Sequence, residues 1–152
     1  IIRTSWLMGP TGQNFALKML DLLSSKEKVN VIDDQIGSPT STNTLAKACW
    51  QTINLNTKGK ILPPILHIAN EGEASWYDIA IEIKKIAKNI GLLQKPVTIN
   101  PIASSNYPTK AKRPKYSVLD CKSSLQSISQ KNNHWKSALK LLFLEYKRNI
   151  SK

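Results

Sequence analysis

Residues 29–40, VNVIDDQIGSPT, limit the possible folds more than any other stretch of this chain. Val29, Val31 and Ile32 are β-branched and closely spaced, which suits a strand buried in a sheet. Asp33 and Asp34 end the apolar run. Gly37 and Pro39 impose a turn, because Gly allows positive φ and Pro fixes φ and removes a donor. Ser41 or Thr42 can then cap a helix by accepting bonds from its free N–H groups. A strand, a polar loop and a helix in that order make the βα unit of an open α/β sheet. Ligands of such folds sit at the strand ends.

The alternation continues along the chain. Residues 1–7 read as a strand leading into a loop that holds Gly9, Pro10 and Gly12. Asn14 caps a helix over 15–24 that is apolar on several sides and therefore well buried. A helix over 43–54 has Leu45, Ala46, Cys49 and Ile53 as its apolar stripe. Gly59 and Pro63-Pro64 exclude regular structure in the next connection, and 65–69 form a short strand. The plainest helix starts at Ser75, with Asp78 as its capping-box partner. Trp76, Ile79, Ala80, Ile83, Ile86, Ala87 and Ile90 recur at helical spacing, and Gly91 stops the helix. Residues 97–102 form another apolar run, interrupted by Pro101, and a long proline-containing loop covers 104–115. A short strand over 116–119, a short helix capped by Asp120 and a last helix from near His134 complete the pattern.

At 152 residues the chain can form one domain with a real core, burying about two thirds of its unfolded surface. No signal peptide is present, and no apolar run approaches the ~20 residues of a membrane span, so no membrane partner and a cytoplasmic location are expected. The opening Ile1-Ile2-Arg3-Thr4 reads as the inside of a strand, so the chain is taken as the C-terminal part of a longer protein. Cys49 and Cys121 are far apart and have no CxxC spacing, which favours two free thiols and no metal. The net charge of +12 admits nucleic acid, an anionic membrane or an anionic small ligand. The lysines are scattered over helix faces rather than gathered in a stripe, so nucleic-acid binding is not expected.

Five segments, in order, carry a family resemblance: Arg3-Thr4-Ser5-Trp6; Asn14-Phe15; DDQIGSPT before a helix with Leu45-Ala46; Ser75-Trp76-Tyr77-Asp78; and Tyr107-Pro108-Thr109 running into Arg113-Pro114-Lys115-Tyr116-Ser117. Together they resemble the dTDP-4-dehydrorhamnose reductases, a branch of the extended short-chain dehydrogenases. The likeness runs from Ile2 to about Tyr146. It implies an α/β fold, the C-terminal portion of a Rossmann-type extended short-chain dehydrogenase. The last sheet strands and a small substrate-binding α/β part would be interleaved over 1–152, with the N-terminal dinucleotide-binding part absent. The implied activity of the full-length protein is reduction of dTDP-4-dehydro-L-rhamnose to dTDP-L-rhamnose, a sugar donor for surface polysaccharide. The implied cofactor is NADPH (or NADH), bound mainly by the missing N-terminal part. The implied partner is a dTDP-linked deoxyhexose, and a homodimer of the full-length protein is compatible with the resemblance.

This segment lacks the catalytic signals. It has no GxGxxG or GxxGxxG turn to cradle a pyrophosphate. Tyr77, Tyr107, Tyr116 and Tyr146 are followed four residues on by Ile81, Ala111, Asp120 and Ile150, never by Lys. Short-chain dehydrogenases use a Tyr as general acid, its pKa lowered by such a Lys. No catalytic residue is therefore expected here, and the piece alone is expected to be inactive.

The candidates lie on the substrate side. As a residue type, Trp6 reads first as core; the resemblance makes it a flat wall of the sugar-nucleotide pocket with one N–H donor. Arg113, stiffened by Pro114, either grips a diphosphate through two parallel bonds or belongs to a solvated basic loop with Lys110, Lys112 and Lys115. The resemblance favours the diphosphate. Asn14 and Gln35 are further substrate-binding candidates, although a helix cap explains Asn14 equally well. Asp33 and Asp34 adjoin a turn, so a structural role is expected for at least one. Trp76 and Tyr77 read as structural. Met8 and Thr44 depart from the family, and the uncharged Asn43-Thr44 argues against a carboxylate-mediated metal or dimer contact there. The alternatives are a non-catalytic relative, such as the regulatory subunit of methionine adenosyltransferase, and a basic nucleic-acid-binding module.

Overall fold

Residues 28–32 alternate exposed and buried side chains, with Val29 and Val31 turned into the core, as expected for a strand with one covered face. The computed structural model describes residues 1–107, 109, 111 and 113–151. In chain order the elements are β1 (Ile2–Arg3), β2 (Leu7–Met8), α1 (Phe15–Ser25), β3 (Lys28–Ile32), β4 (Ile36–Gly37), β5 (Thr40–Ser41) and α2 (Thr42–Thr57). They continue with β6 (Leu66–His67), β7 (Ala74–Ser75), α3 (Trp76–Asn89), β8 (Thr98–Ile102), β9 (Tyr116–Ser117), α4 (Lys122–Ser127) and α5 (Trp135–Ile150). A single 3₁₀ turn, Ser104–Asn106, follows β8.

Most pairing among these strands is parallel, because helices or long connections intervene. β3 pairs with β8 from Lys28↔Thr98 to Ile32↔Ile102. β1 pairs with β6 and β2 with β5, also in parallel. β4 lies between β7, antiparallel, and β9, parallel. Pro101 fits within β8 because that strand pairs on only one side among the described residues.

The helices supply the main core. Helix α3 buries Ile79, Ala80, Ile83, Ile86 and Ala87, the stripe read from its spacing, and its Ser75–Asp78 capping box is formed. Helix α5 adds Trp135, Leu139, Leu142 and Phe143, and α1 adds Met19, Leu20 and Leu23. Each such fully buried side chain contributes about 1.5–3 kcal/mol. A smaller cluster joins Ala48 of α2, Leu66, Ile68 and Ile128 beneath the β1–β6 pair. Buried Asn70 links the start of α2 to the segment before α5: its Oδ1 accepts from the Ser41 N–H at 2.8 Å, and its Nδ2 donates to the Asn133 carbonyl at 3.0 Å.

Several expectations need correcting. The strand over 1–7 is broken, because Trp6 has φ 45° and cannot continue a ladder. Helix α2 buries Ala48, with Leu45 and Leu55 partly covered, whereas Ala46 and Ile53 face outward. Cys121, not Asp120, takes the N-cap position of α4, although the Asp120 carboxylate still accepts from the Lys122 N–H. Both cysteines are free. No helix among the described residues is long and apolar enough to cross a membrane.

Candidate functional site

The site is built on the dipeptide at the end of β3. The Asp33 carboxylate accepts from the Ser75 hydroxyl at 2.8 Å, which fixes the N-terminus of α3. The Asp34 carboxylate accepts from the Ser104 N–H at 2.7 Å and from its hydroxyl at 2.9 Å. Those two bonds, with Lys115 at 3.9 Å, hold the Asp34 carboxyl below the usual carboxylate range. Both aspartates are therefore structural at their carboxylates.

Trp76 begins α3 and joins an aromatic ladder. Trp6 stacks on it with ring centroids 3.7 Å apart and planes 12° from parallel, and Phe15 leans on it at 4.6 Å. Offset or tilted aromatic pairs of this kind contribute about 0.5–1.5 kcal/mol beyond their buried area. Gly37 makes room for the ladder. A Cβ there would come within 2.5 Å of the Trp6 indole. Gly37 lies within β4 and is not among the glycines with positive φ, so its role is close approach rather than the turn read from the sequence.

A cavity of about 320 Å³ opens beside this ladder, at the lower end of ligand-pocket volumes. Phe15, Trp76 and Tyr107 supply its aromatic surface, and Lys18 and Arg113 its charge. No Asp or Glu is among the lining residues. Four consecutive β3 residues, Val29 to Ile32, border it. Successive side chains point to opposite faces, so the cavity runs along the edge of that strand away from β8, an edge that pairs with no strand among the described residues. Among the described residues the Arg113 guanidinium has no carboxylate or carbonyl partner. The cavity thus combines flat apolar faces, an edge of backbone donors and acceptors, and positive charge.

The residues singled out earlier fall differently around it. Arg113 lines the cavity, while half-buried Trp6 stands one ring behind it, stacked on Trp76. Asn14 is consumed by the α1 cap: its Oδ1 accepts from the Ala16 and Leu17 N–H groups and its Nδ2 donates to the Gly9 and Thr11 carbonyls. Gln35 is buried and does not border the cavity. Pro108, Lys110 and Lys112 lie outside the described residues. Sequence reasoning passed over Trp76 and Phe15 as cavity walls. The signal was their place: each is the first helical residue after a capping side chain, where a ring can face outward from the helix start. No group of three metal-ligating side chains occurs among the described residues.

A larger open groove of about 830 Å³ lies between residues 69–73 and 118–132. Glu71, Glu73 and Asp120 oppose Lys122 and Lys131 there, so it presents no field of one sign. Its Cys121 thiol is pushed up in pKa, mainly by burial. The smaller cavity has the more directed chemistry.

Short parallel strand pairs with covering helices, carrying a cavity on a strand edge, make this a mixed α/β fold. The chain belongs to the RmlD substrate binding domain family, whose model matches residues 1–148. It is 36% identical over 141 residues to a dTDP-4-dehydrorhamnose reductase of Aggregatibacter actinomycetemcomitans, covering 92% of this chain and 48% of that protein. It is 38% identical over 140 residues to the spore coat polysaccharide biosynthesis protein SpsK of Bacillus subtilis, covering 92% and 45%. The fold matches a crystal structure of dTDP-4-dehydrorhamnose reductase from Bacillus anthracis in complex with NADP, at TM-score 0.83 and 31% identity, covering 95% of this chain and 48% of that one. The chain spans about half the length of these relatives.

Proposed function

We propose that this chain is the substrate side of an NADPH-dependent dTDP-4-dehydrorhamnose reductase. The cavity carries the reading: aromatic faces and two cations, with no opposing carboxylate, suit a nucleoside diphosphate. Arg113 grips the diphosphate through its planar fork, and Lys18 adds positive field. The thymine lies against the Phe15, Trp76 and Tyr107 rings, within reach of the backbone groups along the β3 edge. Trp6 stiffens that wall from behind.

The reaction adds a hydride and a proton across the C4 carbonyl of dTDP-4-dehydro-L-rhamnose, giving dTDP-L-rhamnose, while NADPH becomes NADP⁺. No glycine-rich turn for a dinucleotide is found in these 152 residues, so holding NADPH and delivering the proton fall to the rest of the longer protein. The charge of +12 is read as solvated helix faces, since lysines occur on all five helices.

The test is to assay the complete protein with dTDP-4-dehydro-L-rhamnose and to follow NADPH absorbance, with dTDP binding measured by calorimetry. Turnover is expected. Loss of hydrogen bonds to a charged group costs about 1.5–3 kcal/mol, so Arg113→Ala should weaken dTDP binding by roughly tenfold to a hundredfold. Trp6→Ala should raise KM with kcat little changed. Binding of dTDP without NADPH oxidation would mark a non-catalytic relative, and no dTDP binding at all would refute the reading.

A further inference from the structure

We infer that Asp34 is a positioning residue for the substrate diphosphate, acting by closing the loop that carries Arg113 onto the end of β3. This rests on the reading of the cavity as a nucleoside diphosphate site. Tyr107, Thr109 and Arg113, which line the cavity, all belong to the connection between residues 104 and 115. Both ends of that connection are tied to one short segment. At its start, Ser104 donates its N–H and its hydroxyl to the Asp34 carboxylate at 2.7 and 2.9 Å. At its end, the Lys115 carbonyl accepts from the Ile36 N–H at 2.8 Å, and the Lys115 ammonium stands 3.9 Å from Asp34. The 3₁₀ turn Ser104–Asn106 has no side-chain cap of its own, so Asp34 is what fixes its entry.

The physical consequence is a shorter conformational search. A loop closed at both ends on a rigid strand end has fewer arrangements than one tethered at a single end. Arg113 is exposed and has no partner among the described residues, so nothing in its own side-chain contacts holds it over the cavity. The ties at Ser104 and Lys115 limit instead where the backbone that carries it can lie. Fixing both ends in advance leaves less for dTDP to order on binding, and pre-organisation of this kind appears as affinity. Asp33 anchors another lining residue, since its bond to Ser75 fixes the start of the helix bearing Trp76.

The experiment is a double-mutant cycle in the full-length protein with wild type, Asp34→Ala, Arg113→Ala and the double variant. Calorimetry with dTDP and steady-state kinetics are the readouts, and the thermal midpoint checks the fold. Asp34→Ala should weaken dTDP binding by about fivefold to tenfold, raise KM and leave kcat within about twofold. The double variant should bind no more than about twofold worse than Arg113→Ala, because Asp34 acts through Arg113. Asp34→Asn keeps an acceptor for the Ser104 N–H and should recover part of the affinity. Should Asp34→Ala fail to fold, Ser104→Ala removes one of the two bonds and should weaken dTDP by about twofold to fivefold with the same non-additivity. If Arg113→Ala binds dTDP as wild type does, the reading of the cavity fails and this inference with it. If Arg113→Ala is weak while Asp34 and Ser104 variants bind normally, or if the effects multiply independently, the inference alone is overturned.

Discussion

At Gly37 a single hydrogen decides where Trp6 can sit. The indole occupies the space that any larger side chain would need, 2.5 Å from where a Cβ would lie. Gly37→Ala should therefore displace the ring and cost about 1–3 kcal/mol, the usual penalty of overpacking. An unchanged urea midpoint in that variant would contradict the contact. Asp34 allows a test by pH. Its folded-state pKa is depressed, first by the Ser104 hydroxyl, then by the Ser104 N–H, with Lys115 adding less. A depressed carboxyl contributes stability above its unfolded pKa of about 3.9 and loses it as pH falls through the lower folded value. The Ser104 amide proton should shift in step with the Asp34 carboxyl carbon below about pH 4 when both are followed by NMR. Independent titration would show that the bond is absent in solution.

Among the elements, α3 bears the most. Its capping box satisfies two N-terminal groups at once, and the Ser75 hydroxyl also donates to Asp33. Ser75→Ala removes a cap worth about 0.5–2 kcal/mol together with that cross-link. A drop in that range in denaturant unfolding is expected, with fluorescence changes at the Trp6–Trp76 stack. Ile83 is fully buried on the same helix. Ile83→Ala should cost about 2–5 kcal/mol and leave a cavity between α3 and its neighbours. A loss under 1 kcal/mol, measured the same way, would show that the core there collapses freely. By contrast, α2 buries only Ala48 outright, so substitutions along its outer face should change stability by no more than about 0.5 kcal/mol.

These 152 residues are strongly basic, and a diphosphate bound as proposed at Arg113 and Lys18 would meet that field as well as the two contacts. Exposed charges are screened over about 10 Å at 0.1 M salt. The affinity of the full-length protein for dTDP should therefore fall by roughly threefold to tenfold between low and high salt, and calorimetry at a series of NaCl concentrations measures it. A flat response would place the diphosphate away from both cations.

Much of this architecture was legible in the chain alone. Helical spacing with its caps located α1, α3 and α5, because periodicity and capping are local properties of neighbouring residues. The order of motifs disclosed the family. The strand over 1–7 and the α2 stripe were misread, because a left-handed Trp6 and the buried side of α2 depend on what packs against them. The candidate site was legible only in part. Arg113 was singled out, but Asn14 proved to be a cap, and Trp76 became a wall only once it was seen stacked on Trp6. Sequence by itself determined which segments could be strand or helix, since that follows from side chains near one another in the chain. Tertiary structure decided what the two aspartates hold, why position 37 must be Gly and which rings face the cavity. Those outcomes depend on contacts between residues tens of positions apart, and no local pattern encodes them.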